Sequence, residues 1–186
     1  MAYVVYSIGW LAIIFNIYWI VSFVKSGFGK YPPCIISFGF AKKKVLEQAK
    51  KYIRVNSGMQ TIVDLGCGCG DLLLPLAKEF PQHRFVGIER DIIVYFLVKL
   101  RSLKYKNIKI IWGDFLNKDW TQFDVFVCYL GNEIAPFVAK KFLIEAKEKA
   151  VLVSEVFAMP NLYEVEKFDI KTCKLPTNVF VYKKIK

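Results

Sequence analysis

From Thr61 onward the chain alternates between short apolar runs and amphipathic ones, and this alternation restricts the fold more than any other feature. TIVDL (61–65), RFVGIE (84–89), IKIIWGD (108–114), FDVFVCYL (123–130) and AVLVSEVF (150–157) have strand length and are nearly continuous in apolar residues. Between them lie DLLLPLAKEF (71–80), DIIVYFLVKLRSLKY (91–105) and NEIAPFVAKKFLIEAKEK (132–149), which read as helices, with Asp91 well placed as an N-cap. Strands apolar on both sides and separated by helices predict a parallel sheet covered on both faces. YEVEKFDIK (163–171) and NVFVYKKI (178–185) follow one another with no helix between, which predicts a terminal antiparallel hairpin. A basic helix, AKKKVLEQAKKYI, precedes the first strand. The expectation is one α/β domain over 40–186 built on seven strands.

The front of the chain is different in kind. No charged side chain occurs from Met1 to Val24, and the run is apolar on every helical face. About 21 residues at 1.5 Å each span roughly 32 Å, against a hydrocarbon core of about 30 Å. A cleaved signal peptide would want a basic start, a shorter apolar run and small residues at its end, none of which is present. A buried core helix is the alternative. The expectation is a single transmembrane helix over 1–24, then a basic linker over 25–39 broken by Gly27, Gly29, Pro32 and Pro33.

Charge gives the orientation. Eight basic residues and one acid, Glu47, stand between Lys25 and Arg54, and they carry +7 of the net charge of +11. The positive-inside rule then puts the N-terminus outside and the domain in the cytoplasm. The same segment should be drawn to anionic headgroups, so the membrane is an expected partner and nucleic acid is not needed to explain the charge. Disorder is excluded by 55% apolar and 16% aromatic residues. Five scattered cysteines in a reducing compartment argue against disulfides. Cys67 and Cys69 have no histidine nearby, so no metal site is expected.

Parallel sheets bind ligands at the carboxyl ends of their strands. There the sequence places Asp64-Leu65-Gly66-Cys67-Gly68-Cys69-Gly70-Asp71, a glycine loop opening the first crossover helix. A dinucleotide fingerprint would need glycine where Asp71 stands, and a carboxylate there repels a pyrophosphate. The loop suits a neutral or cationic ligand. Glu89 ends the second strand, where a carboxylate can accept both hydroxyls of a ribose. Asp114 ends the third, with Phe115 or Trp112 beside it for stacking on a base. Together they describe a pocket for an adenosine bearing positive charge.

VDLGCGCGD, GIERD and WGDF, in this order, resemble the S-adenosylmethionine site of class I methyltransferases. The resemblance implies a Rossmann-like seven-stranded sheet with a terminal hairpin and S-adenosyl-L-methionine as cofactor. Asp64, Gly66, Gly68 and Gly70 would border its methionine part, Glu89 its ribose, and Asp114 and Phe115 its adenine. The apolar N-terminal run, the Pro-containing entry and SEVFAMPNLYEVE (154–166) leading to VFVYKK are similar to a narrower group, the membrane-anchored protein-lysine methyltransferases. Mitochondrial members of that group modify the ADP/ATP translocase and the ATP synthase c subunit. The group shows G-x-G-D-G-[RK], where this chain has Gly68-Cys69-Gly70-Asp71-Leu72.

On the acceptor side, Cys128-Tyr129-Leu130-Gly131-Asn132-Glu133 follows the fourth strand. Tyr129 offers an aromatic wall for a cationic amine, and Glu133 an acid to attract or deprotonate it. Asn132 and Glu133 also suit helix capping and first-turn charge. The loop lacks the [DN]-P-P-[YF] pattern of methyltransferases acting on amino groups of nucleic-acid bases or glutamine. The helix over 91–105 is apolar around its circumference, so its outer face rests on a bilayer or a transmembrane substrate, or is buried in a dimer or against the 40–53 helix. The expectation is a membrane-anchored methyltransferase acting on a lysine of a membrane protein. A lipid or small hydrophobic acceptor, and a non-catalytic cofactor-binding module, stay open.

Overall fold

The computed structural model describes residues 10, 13, 16, 39–53, 58–170 and 177–185. The expected membrane helix over 1–24 lies outside these except for Trp10, Ile13 and Asn16, which are helical. The linker expected over 25–39 lies outside them as well, except Gly39, which opens the helix before the sheet. Among the described residues, no helix is long and apolar enough to cross a membrane. The chain divides into two units, Met1–Pro33 and Cys34–Lys186, and the sheet belongs to the second.

That sheet has seven strands: β1 (Thr61–Leu65), β2 (Arg84–Glu89), β3 (Ile108–Trp112), β4 (Val125–Tyr129), β5 (Val151–Glu155), β6 (Glu164–Ile170) and β7 (Thr177–Lys183). Their order is β3-β2-β1-β4-β5-β7-β6. The first five run parallel, while β7 pairs antiparallel with both β5 and β6, so the expected hairpin is present. Order reverses at β1, which pairs with β2 on one side and β4 on the other, making this the switch point where a ligand crevice opens.

Among the described residues of this unit, four helices accompany the sheet: α1 (Gly39–Tyr52), α2 (Leu73–Glu79), α3 (Ile92–Ser102) and α4 (Ala135–Glu145). Alternation along each strand sorts the core. Ile62, Val125, Val127, Val151 and Val153 turn to one side and pack with Val45 and Ala49 of α1 and Leu73 and Leu76 of α2. Phe126 packs against Trp120, Phe123 and Phe142 in an aromatic cluster of tilted and edge-to-face rings, with centroids 5.2–5.7 Å apart. Asp91 caps α3 as expected, its Oδ1 accepting from the N–H groups of Ile93 and Val94 at 2.9 and 3.1 Å.

Several elements are a few residues shorter than the sequence predicts, and at two of them the backbone shows the cause. β3 stops at Trp112 rather than 114, because Gly113 turns the chain at φ 136°. The helix expected over 132–149 covers only Ala135–Glu145. Its start is set by Pro136 in the first turn, where a missing N–H costs nothing. Its end is set by Ala146, which is extended at ψ 150°.

Candidate active site

The glycine loop between β1 and α2 is hung on β2. The N–H groups of Gly66 and Cys67 both donate to the Ile88 carbonyl at 3.0 Å. Gly66, Gly68 and Gly70 all have positive φ, at 72°, 51° and 83°. At Gly70 a side chain is also excluded by space, since a Cβ would lie 2.9 Å from Leu74 Cγ and 3.0 Å from Val98 Cγ2. The loop comes close to the sheet because Gly87, mid-strand in β2, has no Cβ to meet Cys67 Sγ and Leu73 at 2.8 Å.

Glu89 ends β2 and is buried, with its carboxylate accepting from Gly68 N–H at 2.9 Å and Asp91 N–H at 2.8 Å. It therefore sets the loop as well as facing the crevice. Asp64 is buried one residue before the end of β1 and accepts from the N–H of Leu73, tying β1 to the start of α2. Burial, and then the charges of Glu89, Asp71 and Glu155, push its carboxyl up to about 8, against the pull of that N–H. Burial raises Glu89 too, opposed by the N–H groups of Asp91, Gly68 and Arg90.

Carboxylates driven toward neutrality by burial and mutual repulsion make a site that gains by taking in a cation. These acceptors thus fit a ligand with hydroxyls to donate to a carboxylate and positive charge beside the loop. That is the chemistry of S-adenosylmethionine. Asp114 caps the 3₁₀ turn Phe115–Asn117, its Oδ1 accepting from Leu116 N–H at 2.8 Å. Phe115 is buried and lies next to Gly66, so it forms a floor under the loop rather than an open face. Trp112 is the exposed ring, pinned by its Nε1 donating to the Arg90 carbonyl at 3.0 Å.

On the acceptor side, Tyr129 ends β4 and pairs in register with Glu155 of β5. Burial and the charge of Glu155 raise the Tyr129 hydroxyl above its ordinary value, so the phenol stays neutral near pH 7. Asn132 and Glu133 are exposed in a turn closed by Ile134 N–H donating to the Gly131 carbonyl at 3.3 Å. The capping role open to Asn132 is corrected here: α4 begins three residues later, its N-cap is Ile134, and no side chain caps it.

Just past Glu155, Val156 stands at φ 71°, costly for a β-branched residue. Neighbouring bonds clamp it: Val156 N–H donates to the Asn178 carbonyl at 2.7 Å, and Ser154 Oγ donates to the Phe157 carbonyl at 2.8 Å.

The structure thus brings Asp64, Gly66, Gly68, Gly70 and Glu89 together at the ends of β1 and β2 and pairs Tyr129 with Glu155. Sequence reasoning missed Gly87, Glu155 and Arg101, whose Nη1 donates to the Cys69 carbonyl at 2.5 Å. A lone glycine inside the run RFVGIE was the one available signal, for Gly87. Among the described residues, no group of His, Cys, Asp or Glu is arranged to hold a metal ion.

A sheet of this order, with a glycine loop after β1 and carboxylates at the ends of β1 and β2 and just past β3, defines a class I S-adenosylmethionine-dependent methyltransferase. Residues 64–166, more than half of the chain, match the ANTKMT methyltransferase domain, and the chain belongs to that family. Among curated proteins, it is 32% identical over 119 residues to a probable ribosomal RNA small subunit methyltransferase A of Methanosphaera stadtmanae, covering 60% of this chain and 43% of that one. The chain thus spans less than half the length of this relative. Among solved structures, it resembles an RNA methyltransferase from Salinibacter ruber in complex with S-adenosyl-L-homocysteine, with a TM-score of 0.70 and 18% identity over 80% of this chain and 93% of the other. It also resembles a B. subtilis tRNA methyltransferase, with a TM-score of 0.63 and 11% identity over 81% of this chain and 68% of the other. At such identities these two likenesses speak for the fold alone.

Proposed function

We propose that this chain is a membrane-anchored methyltransferase whose acceptor is a lysine of a membrane protein. The observation that carries the acceptor is the pairing of Tyr129 with buried Glu155 at the strand ends, beside exposed Asn132 and Glu133. An acidic and aromatic mouth suits a cationic amine better than a polyanion. The uncharged run to Val24 supports the anchor, and the basic stretch to Arg54 supports a cytoplasmic domain.

When bound, S-adenosylmethionine supplies an electrophilic methyl group. Asp64, Gly66, Gly68, Gly70 and Glu89 are the residues to hold it, with Asp114 and Phe115 at the adenine end. A lysine arrives as an ammonium of pKa about 10.4 and must lose a proton to become a nucleophile. The negative charge of Glu155 favours its approach. Tyr129, held neutral, offers a ring face and a donor hydroxyl rather than a base. Glu133, exposed at the mouth, is the group placed to take the proton or pass it to water. Positioning supplies the rest of the rate.

The second reading is an RNA base, favoured by the name of the curated relative. Radiolabelled cofactor, added with the full-length chain to membranes lacking it, separates the two. Label in a discrete protein band, lost in a Glu89→Ala control, supports the lysine reading. Label in RNA overturns it, and label in the lipid extract moves the acceptor to a lipid.

A further inference from the structure

A second concave site lies outside the crevice, where α1, α2 and α3 meet. It is a cavity of about 580 Å³ with Lys42, Lys78, Arg101 and Lys104 in its wall. Among the described residues, Asp71 is the only carboxylate in that wall. Asp71 is shared, with Lys42 Nζ and Arg101 Nη2 each 3.9 Å from its Oδ1, too far for a hydrogen bond. Four cations against one carboxylate make a site for an anion.

The rest of the wall is apolar and continues outward. Leu74, Pro75, Leu100 and Leu103 line the cavity, and Leu100 and Leu103 are 67% and 72% exposed. Phe96, 60% exposed, and Leu97 extend the patch along α3. Only Val94, Val98 and Ser102 of this helix are buried. An apolar face bordered by lysines is the pattern of a helix lying in a membrane interface.

We propose that this cavity and the outer face of α3 form a docking site for an anionic phospholipid surface, with a headgroup phosphate among the four cations and acyl chains over Leu100 and Leu103. Charge decides against a second copy of the chain, since a symmetric pairing would bring two such cationic clusters together. RNA fits the lysines but not the leucines, which offer no π-face for a base. The site goes beyond the proposed acceptor and stands whichever acceptor is correct.

The test uses the full chain reconstituted in vesicles of phosphatidylcholine alone or equimolar with phosphatidylglycerol. A spin label at Leu103→Cys reports accessibility to oxygen and to a water-soluble nickel chelate, with the labelled unsubstituted chain as blank. The expected result is a label that gains oxygen access and loses nickel access in the anionic vesicles only. That shift is reversed by high salt and absent in K78E/K104E, which still binds cofactor. A label equally water-exposed in both vesicles overturns the proposal. Equal protection in both, unchanged in K78E/K104E, overturns the headgroup site. Spin–spin broadening that grows with protein density assigns the face to a second copy, and protection by an RNA oligonucleotide without vesicles assigns it to RNA; either overturns the lipid reading. Methyl transfer is not read, so failure of the lysine reading leaves this result intact.

Discussion

The two sides of the crevice are built by opposite rules. On the cofactor side, the polar groups are tied to the backbone: Glu89 accepts from Gly68 N–H in the loop and from Asp91 N–H at the cap of α3, the loop hangs on Ile88, and Asp64 grips the start of α2. On the acceptor side, Asn132 and Glu133 stand exposed in a short turn, and the chain leaves β5 through a strained valine. The first half is over-determined, as a site for one fixed ligand must be. The second is sparse, and its specificity has to come from what approaches it.

The contrast is broken first by Glu89→Ala. Losing a buried acceptor of two charge-assisted hydrogen bonds should weaken cofactor binding by about a hundredfold or more and lower the melting temperature. Titration calorimetry and thermal melts check it; near-normal affinity would show that Glu89 is not a ligand group. Glu155→Gln should lower kcat by roughly tenfold while leaving cofactor affinity within about twofold, because Glu155 faces Tyr129 directly and is only the last of the charges acting on Asp64. Equal losses in both quantities would merge the two halves.

A pH series sharpens the comparison further. The Asp64 carboxyl is raised to about 8 in the folded chain, so the folded state keeps a proton that the unfolded state gives up. Its contribution to stability is complete below the ordinary carboxylate range and is lost as pH rises through about 8. Melts of the ligand-free protein should fall over that window, and Asp64→Asn should flatten the slope. Cofactor binding near neutral pH should release a proton, seen as a dependence of the calorimetric heat on the buffer's ionisation enthalpy. The smallest effect is Val156→Gly. Relief of the φ 71° strain, offset by the entropy of glycine, should leave stability unchanged or raise it by about 1 kcal/mol, with reduced kcat from a looser β5 end.

Legibility followed the same division. β1 and β2 fall at the bounds expected from the sequence, 61–65 and 84–89, because turn residues punctuate both and their apolar runs admit one reading. The loop residues and Glu89 were found because their chemistry is local, a few positions around a strand end. Glu155 was not, because its meaning comes from the β4–β5 register that sets it against Tyr129, and no local pattern states that pairing. The helix after β4 was overextended because periodicity continued through Asn132 while Gly131 and Pro136 fixed the true start. The cationic cavity joins residues from three helices, so it appears only once they are assembled.

Arg101 belongs to both sites. One nitrogen of its guanidinium holds the Cys69 carbonyl inside the glycine loop, and another faces Asp71 in the wall of the basic cavity. A single side chain thus bears on two ligand environments, and free energies of binding are reciprocal. Whatever engages the cavity and alters the pull on Arg101 must change the loop's affinity by a given factor, and filling the loop must change the cavity's affinity by that same factor.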